Sequence, residues 1–314
     1  MRAVIIFNPA AGQRDHRAAI REVAEYLRSL NWQVEVRETV QSGDATAFAR
    51  DAAARQCDIV FVAGGDGTIN EAVNGLAYTR VALGVLPSGT ANVWAQEIGL
   101  PVPRLLSPDP NPLLSSARML SEGVMRTMDL GRIGDRYFML YGSVGFDAQV
   151  VQEMESQKPL KQQLGGWAYY LAGATAAWSF RGVRATLVLD GKRLRRRIWA
   201  VMAANTQLYG GIMRIASEAY ADDGLLDIVV IRGHGLLATI RHYAGFLLRG
   251  VWADPQVEFF RAHVAEIITK KPMAVQVDGD AHGASPVTIV SAPRALNVLV
   301  PRGVALRIFR QAPL

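Results

Sequence analysis

The feature that most restricts the fold is a regular alternation of apolar runs and helical patterns through the first hundred residues. The runs Val4–Phe7, Ile59–Ala63 and Val81–Leu86 are rich in β-branched residues, and apolar residues recur at helical spacing in Ile20–Leu30 and Ile69–Ala77 between them. Strands interleaved with helices in this way predict a parallel sheet with helices on both faces.

Glycine-rich loops follow three of the predicted strands, at residues 8–12, 64–68 and 87–90. Sheets of this kind place ligand sites at the carboxyl ends of their strands. Glycine lets backbone N–H groups approach a phosphate closely, and a following helix N-terminus adds partial positive charge. The three loops therefore predict one phosphate-binding pocket, although each loop alone could be a plain turn.

The pattern changes after Leu100, where prolines at 101, 103, 108, 110 and 112 indicate a linker or an irregular connection. From about Met128 onward, strand-like runs dominate. These runs are Tyr137–Tyr141, Ala185–Leu189, Ile198–Ala203, Leu226–Ile231, Ala274–Val277, Val287–Val290 and Leu296–Val300. Asp190-Gly191 is a type I′ hairpin signal. Trp167–Phe180 and Leu236–Val251 have helical patterns, so we expect a mostly antiparallel β domain with inserted helices.

Composition narrows the class of protein. A chain of 314 residues suggests two domains, which we place at residues 1–128 and 129–314, with the last strand able to return to the first domain. Half the residues are hydrophobic, which excludes wholesale disorder. The single cysteine, Cys57, excludes an internal disulfide framework and favours a reducing compartment.

Localisation and partners follow from apolar length and from charge. The longest apolar stretch, residues 167–180, is shorter than the roughly 20 residues of a spanning helix, and no signal-peptide pattern opens the chain. We therefore expect a cytoplasmic protein. The net charge of +6 favours a polyanionic partner. A nucleic-acid role would need aromatic interleaving or a recognisable module, and neither is present.

The loop Gly64–Glu71 reads Gly-Gly-Asp-Gly-Thr-Ile-Asn-Glu. It is not a Walker A loop, because no Gly-Lys-Ser/Thr follows, and it is not a dinucleotide fingerprint, because Asn70 occupies the place of the third glycine. Asp66 adds a carboxylate that could help to hold a phosphate-bound Mg²⁺.

Together, the motifs Asn8-Pro9-x-x-Gly12, Gly64–Glu71 and Pro87-x-Gly89-Thr90-x-Asn92 resemble the diacylglycerol kinase catalytic-domain family. The bacterial soluble lipid kinases, relatives of sphingosine kinases, are the most similar members. Two later segments, Asp223–Asp227 and Val277–Asp280, are similar to signatures of the family's second domain and occur in the family's order.

The resemblance implies an ATP- and Mg²⁺-dependent lipid kinase that phosphorylates a hydroxyl of diacylglycerol or a similar lipid. Its first domain would be a three-layer α/β unit related to NAD kinases and 6-phosphofructokinases, and its second a β-sandwich-like domain that brings in the acceptor. The residues implied to bind nucleotide are Asn8, Pro9, Gly12, Thr39, Gly64, Gly65, Asp66, Gly67, Thr68, Ile69, Asn70, Glu71, Ser88, Gly89, Thr90 and Asn92.

The resemblance also implies metal and catalytic residues. Asp66 would lie near the nucleotide's Mg²⁺. A structural Mg²⁺ would bind the Asp223 carboxylate and the carbonyls of Tyr220 and Leu225. The family's proton acceptor is the Glu of an Asp-Gly-Glu element, which falls on Asp280 here, with Asp278 as the alternative.

The chain departs from the family's pattern at two positions. Val93 stands where family members commonly have Asp, and Asp280 replaces Glu. Taken by itself, the segment Asp278-Gly279-Asp280 predicts a plain Asp-Gly hairpin turn. Two other functions stay open: a kinase of a soluble substrate that resembles NAD kinase, and a nucleotide-binding regulator with weak catalysis.

A run of basic residues, Lys192–Arg197, comes after the Asp190-Gly191 turn. In a strand, Arg193, Arg195 and Arg197 would share one face. This face is either a solvated, charge-protected strand edge or a contact surface for an anionic membrane. The sequence names neither the lipid nor the oligomeric state.

Overall fold

The chain folds into two compact units, each with its own core. The structure, a computed structural model, describes residues 1–12, 15–103, 109–156, 180–211, 213–233, 241–242, 254–302 and 308–310. The first unit comprises Met1–Leu130, Ala221–Asp223 and Pro293–Leu314. The second comprises Gly131–Tyr220 and Gly224–Ala292.

The first unit contains the predicted alternation of strands and helices. Its elements are β1 (Arg2–Phe7), α1 (Arg17–Ser29), β2 (Gln33–Glu38), α2 (Asp44–Ala54), β3 (Ile59–Gly64), α3 (Asp66–Leu76), β4 (Ala82–Pro87), α4 (Val93–Glu97), α5 (Pro112–Ser121), most of β5 (Val124–Ile133) and the end of β17 (Val287–Val300). The strand order is β2-β1-β3-β4-β17, and these pairs are parallel.

Helices cover both faces of this sheet. α1 packs with α5, while α2 packs with α3, as right-handed crossovers between parallel strands require. β3 and β4 are buried along their whole length, because a central parallel strand is covered on both sides. The predicted three-layer α/β architecture is confirmed.

The second unit is mostly antiparallel. Its elements are β6 (Arg136–Phe138), β7 (Tyr141–Gly145), α6 (Phe146–Ser156), β8 (Val183–Leu189), β9 (Lys192–Ala204), β10 (Leu208–Tyr209), β11 (Met213–Arg214), β12 (Leu226–Arg232), β13 (Val257–Ala262), β14 (Val264–Thr269), β15 (Ala274–Val277), β16 (Asp280–Ala284) and the start of β17.

The long strand β9 joins two layers of this unit. Its first half pairs with β8, in the order β9-β8-β14-β17, while its second half lies between β7 and β12, in the order β13-β12-β9-β7-β15-β16. Apolar side chains of both layers, among them Leu187, Val201, Val230 and Ile267, belong to one buried cluster. This sandwich-like arrangement confirms the predicted fold of the second half.

The hairpin signal at Asp190-Gly191 is confirmed. The φ angles of these residues are 45° and 84°, both positive as a type I′ turn requires, and Leu189 pairs with Lys192 across the turn. The basic run Lys192–Arg197 is part of β9.

Several predicted element bounds were wrong. The expected strand Tyr137–Tyr141 is divided between β6 and β7, because Met139 and Leu140 donate their N–H groups to the Asp278 carboxylate. The runs Val287–Val290 and Leu296–Val300 form one strand, β17. The proline-rich connection leads into α5, with Pro112 in its first turn and Asn111 as its N-cap. The predicted helices at 167–180 and 236–251 lie largely outside the described residues.

Within the described part of the chain, none of the helices combines the length and the apolar character that crossing a membrane requires.

Candidate functional site

The three glycine-rich loops meet at the carboxyl end of the parallel sheet in the first unit. Asn8 follows β1, and its side-chain amide donates to the Thr68 hydroxyl at 2.9 Å. Gly12 comes so close to the loop after β4 that a Cβ there would lie 2.3 Å from the Ser88 carbonyl oxygen. The loops at 8–12, 64–68 and 87–90 therefore form one site, as their positions after adjacent strands predicted.

Gly65 and Gly89 lie against each other, but only one of them is required by this packing. A Cβ on Gly89 would lie 2.5 Å from the Gly65 Cα, which the backbone cannot accommodate. Gly65 has ordinary extended angles (φ −88°, ψ 178°), and its own Cβ would meet nothing nearer than 3.9 Å. Among the residues that the structure describes, neither strain nor crowding demands glycine at position 65, so these residues leave space beside it for a ligand.

Helix α3 begins earlier than the sequence indicated. Asp66 is its first residue and Gly65 its N-cap, so Asp66, Gly67 and Thr68 form the first turn of the helix instead of a loop before it. The N–H groups of a first turn have no partner within the helix. They are suited to bind phosphate oxygens.

The Asp66 carboxylate connects α3 to the loop after β4. Its Oδ1 accepts the Val93 N–H at 2.9 Å. Burial raises the pKa of the Asp66 carboxyl above its ordinary value, and hydrogen bonds from the backbone of Val93 and Asn92 oppose this rise. A Mg²⁺ ion typically takes one or two protein carboxylates and completes its shell with water and phosphate oxygens. Asp66 as a single carboxylate therefore fits a metal that arrives with a nucleotide.

Ser88 and Asn92 are buried at the opposite wall of the site. Asn92 donates from its amide to the Gly89 carbonyl at 2.6 Å and fixes the turn. The Ser88 hydroxyl is buried without a hydrogen-bond partner in the described residues. An unpaired buried hydroxyl costs free energy unless a ligand or a water satisfies it. Thr90 is exposed.

The other residues that the resemblance implies for nucleotide binding lie at several places in the first unit. Thr39 is buried just after β2, and its N–H donates to the Phe7 carbonyl at 2.8 Å. Ile69 and Asn70 are buried within α3. The Glu71 carboxylate accepts the Ser42 hydroxyl at 3.1 Å, at the start of α2. Pro9 is half-buried beside Asn8.

The Asp278 carboxylate, in the second unit, binds backbone. It accepts the N–H groups of Met139, Leu140 and Tyr141 at 2.7, 3.0 and 2.9 Å, and the residue is 6% exposed. Asp278 and Gly279 have φ angles of 47° and 89°, so the expected Asp-Gly hairpin turn is present between β15 and β16. With both carboxylate oxygens bound to backbone N–H groups, Asp278 is suited to holding the 139–141 segment.

Asp280, two residues later, is more accessible. Its side chain is 40% exposed, and its Oδ2 forms an ion pair with Arg136. Within the described residues, no hydrogen bond reaches its other oxygen. Of the two carboxylates that the sequence offered, Asp280 is the more accessible.

The sequence interpretation missed a buried polar network next to this turn. Asp147, at the start of α6, accepts a hydrogen bond from the Ser143 hydroxyl and another, at 3.3 Å, from the Gln276 amide. The Gln276 Oε1 accepts the Gly279 N–H at 2.8 Å, which connects α6 to the Asp278-Gly279 turn. The available signals were an Asp shortly after the apolar residues Val144 and Phe146, and a Gln inside an apolar strand.

We expect the variant Asp147→Asn to gain stability relative to the wild type as pH rises. Burial raises the pKa of the Asp147 carboxyl, so the wild type is favoured when this group is protonated and loses stability as pH rises through the folded-state pKa. An amide keeps the hydrogen bonds and does not ionise. Thermal unfolding at about pH 4, near the ordinary carboxyl pKa, and at higher pH measures the difference. A stability difference that does not change with pH would contradict it.

The predicted structural metal site consists of residues close together in sequence, Tyr220, Asp223 and Leu225. Asp223 belongs to the first unit, whereas Tyr220 and Leu225 belong to the second. The Asp223 side chain is 7% exposed and lies 3.7 Å from the Arg310 guanidinium, and Asp222 accepts the Arg310 N–H at 2.8 Å. Among the described residues, no group of three or more His, Cys, Asp or Glu side chains could hold a metal by itself. A metal here would therefore depend on backbone carbonyls, as the proposed set does.

Comparisons with known proteins match both units. The family model of the diacylglycerol kinase catalytic domain matches residues 2–133, and that of the YegS C-terminal NAD kinase beta sandwich-like domain matches residues 142–300. A diacylglycerol kinase of Bacillus subtilis is 31% identical over 304 residues, which cover 96% of this chain and 97% of the relative.

A second curated relative and a solved structure are also similar to this chain over most of its length. A Chromohalobacter salexigens protein described as "Probable lipid kinase YegS-like" is 32% identical over 292 residues, covering 91% of this chain and 90% of the relative. A solved structure described as a diacylglycerol kinase from Bacillus anthracis superposes with a TM-score of 0.78 at 24% identity, covering 97% of this chain and 98% of that one. At that identity the structural likeness supports the fold alone.

Proposed function

Since this chain belongs to the diacylglycerol kinase catalytic-domain family and is a lipid kinase, we propose that it transfers the γ-phosphate of ATP to a hydroxyl of diacylglycerol or a similar lipid. The reaction forms a bond between the lipid oxygen and the γ-phosphorus, breaks the bond from that phosphorus to the β-phosphate oxygen, and releases ADP. We further propose that it acts at a membrane surface, on the cytoplasmic side.

The nucleotide phosphates bind, in this proposal, where the three loops of the first unit meet. The N–H groups of the first turn of α3 and the hydroxyls of Thr68 and Ser88 would contact phosphate oxygens. Mg²⁺ would be held by Asp66 together with the phosphates, and it supplies neutralisation of the negative charge that moves during phosphoryl transfer. Asp223, Tyr220 and Leu225 would hold a second, structural Mg²⁺.

Asp280 would accept the proton of the lipid hydroxyl. A carboxylate with an ordinary pKa of about 4 cannot deprotonate an alcohol in advance, but the transition state of phosphoryl transfer is loose, so the base need only orient the hydroxyl and take its proton late. Arg136 would orient the Asp280 carboxylate through their ion pair. Asp278, with both oxygens engaged, would hold the turn that carries Asp280.

The observation that carries the proposal is the open space at Gly65. Three strand-end loops converge there, yet nothing in the described part of the chain requires glycine at that position. A glycine whose missing side chain leaves room beside a helix N-terminus is what close approach of a phosphate demands.

We therefore expect the Gly65→Ala protein to fold normally and to bind ATP more weakly than the wild type. The added methyl group has space within the protein, so thermal stability should stay close to that of the wild type, while ATP affinity should fall about tenfold or more. Calorimetric titration with MgATP measures this. Gly89→Ala is the contrasting variant, since its Cβ would collide with the Gly65 backbone and lower stability. Unchanged ATP affinity in a folded Gly65→Ala protein would place the phosphates elsewhere.

The activity itself is tested by incubating the protein with labelled ATP and Mg²⁺ in mixed micelles. The micelles contain, in turn, diacylglycerol, monoacylglycerol, phosphatidylglycerol, ceramide and sphingoid bases. We expect label in diacylglycerol or a similar lipid. A parallel reaction contains NAD in place of lipid, and label in NAD without label in any lipid would favour a kinase of a soluble substrate. Nucleotide binding without any turnover would favour a regulator.

A further inference from the structure

A basic groove crosses the solvent face of the sheet layer β9-β8-β14 in the second unit. It has a volume of about 450 Å³, and among its lining residues are Arg184 and Thr186 of β8, Arg195 and Arg197 of β9, and Ile268 and Lys270 at the end of β14. The name basic groove refers to these six residues. None of them is among the proposed catalytic, metal-binding or nucleotide-binding residues.

Strand register places these side chains on one face. Arg184 is directly opposite Arg197, and Thr186 is opposite Arg195 on one side and Ile268 on the other. The intervening Ala185 and Leu187 are buried in the core, so the groove residues project outward. Directly opposed like charges on a sheet face are unfavourable, and Arg184 and Arg197 form such a pair.

The cations of the groove have no acidic partner in the described part of the chain. Arg197 donates to the Gly182 carbonyl, and none of the recorded ion pairs includes Arg184, Arg195, Arg197 or Lys270. Arginines elsewhere are paired, for example Arg55 with Glu35 at 2.6 Å. Arg196, between Arg195 and Arg197, also lines the groove and is itself paired with Glu258 at 3.0 Å. One acidic residue, Glu266, lies on the same face, opposite Val188. The chain thus retains a concentrated positive charge here at an energetic cost, which a bound anion would offset.

The exposed apolar residue Ile268 indicates which class of anion would bind to the basic groove. This residue is 46% exposed and lies beside Thr186 at the border of the cationic residues, and a soluble phosphate would gain nothing from it. A phospholipid presents a phosphate next to glycerol and acyl carbons, so it satisfies both parts of the surface. No aromatic side chain is among the lining residues that the structure describes, whereas single-stranded nucleic acid is bound by stacking on aromatic residues.

We propose that the basic groove binds the headgroup of an anionic phospholipid and attaches the second unit to the membrane. This inference extends the proposed function, because a lipid kinase must reach a substrate that lies in a bilayer. The binding is nevertheless measured without turnover, so its failure and the failure of the kinase proposal are distinguishable.

The test is sedimentation of the full-length protein with vesicles of phosphatidylcholine, with or without one third phosphatidylglycerol. We expect binding only to the anionic vesicles. The variant Arg195→Gln/Arg197→Gln should lower the partition coefficient about 25-fold, as expected from roughly fivefold per basic residue near a charged surface. Glu266→Gln should raise it. The exposed pair Arg21→Gln/Arg50→Gln removes the same charge from the first unit and should change it less than twofold.

Further readouts keep the outcome unambiguous. Thermal unfolding checks that each variant is folded, and kinase activity in uncharged detergent micelles should equal that of the wild type in the groove variant. The proposal is overturned if both double variants lose binding equally, or if the wild type binds neutral vesicles as well as anionic ones. It is also overturned if inorganic phosphate or a polynucleotide competes with the anionic vesicles effectively enough to displace the protein from them.

Discussion

Replacing Asp280 by Asn is expected to remove about 99% or more of lipid phosphorylation, since a positioned general base typically contributes 10²- to 10⁴-fold. An amide cannot take the proton of the lipid hydroxyl. The loss should appear in kcat, while ATP affinity should stay unchanged, because the nucleotide is proposed to bind residues of the first unit. The measurement is transfer of label from ATP to diacylglycerol under saturating nucleotide.

Two variants control this experiment. Asp280→Glu introduces the residue that the family commonly has, and it should retain substantial activity. Asp135→Asn changes an exposed carboxylate in the turn between β5 and β6, and it should leave activity intact. Because the Asp280 side chain is 40% exposed, Asp280→Asn should unfold at nearly the wild-type temperature. Normal turnover by a folded Asp280→Asn protein would exclude Asp280 as the base.

Replacing Asp278 by Asn is expected to have its main effect on stability. An amide offers one acceptor oxygen, so the N–H of Met139, which the Asp278 Oδ2 now accepts, would face an NH₂ group. Losing a charged acceptor for buried N–H groups costs about 3 kcal/mol, which corresponds to a fall of roughly 6–12 °C in unfolding temperature. Thermal unfolding monitored by circular dichroism measures this.

The roles proposed for Asp278 and Asp280 can therefore be distinguished, because replacing Asp278 should lower stability and replacing Asp280 should lower activity. For Asp278→Asn, the activity per folded molecule at low temperature should remain within a few-fold of the wild type, whereas Asp280→Asn should be inactive at full stability. If Asp278→Asn proved fully stable but inactive, the structural role of Asp278 would be wrong and it would become the candidate base.

Local sequence signals were sufficient for β1, β3 and β4 of the first unit, because these strands are buried apolar runs followed by glycine-rich loops. Local signals were insufficient where contacts between residues far apart in the sequence determine where an element begins or ends. The division of β6 from β7 depends on Asp278, more than 130 residues away. β13 and β14 were missed, because neither shows a strict alternation of apolar and polar residues. α3 begins inside a glycine-rich segment that indicated a loop.

The candidate site shows the same limits. The convergence of the three loops after adjacent strands could be predicted, since parallel strands end at one edge of a sheet. The unequal roles of Asp278 and Asp280 could not, because only the fold brings Met139 to one and Arg136 to the other. Likewise, the sequence placed Arg195 and Arg197 on one face, but Arg184 and Lys270 come from other strands.

The course of β17 has a consequence for how the chain folds during synthesis. The central strand β4 of the first unit pairs with Asn297 and Val298, which the ribosome adds only after the second unit has been made. Until then, the nascent α/β unit carries an apolar strand with an open edge, a feature prone to intermolecular pairing. Completion of the N-terminal sheet therefore waits for the C-terminal part of the chain, and chaperone contact is most needed in that interval.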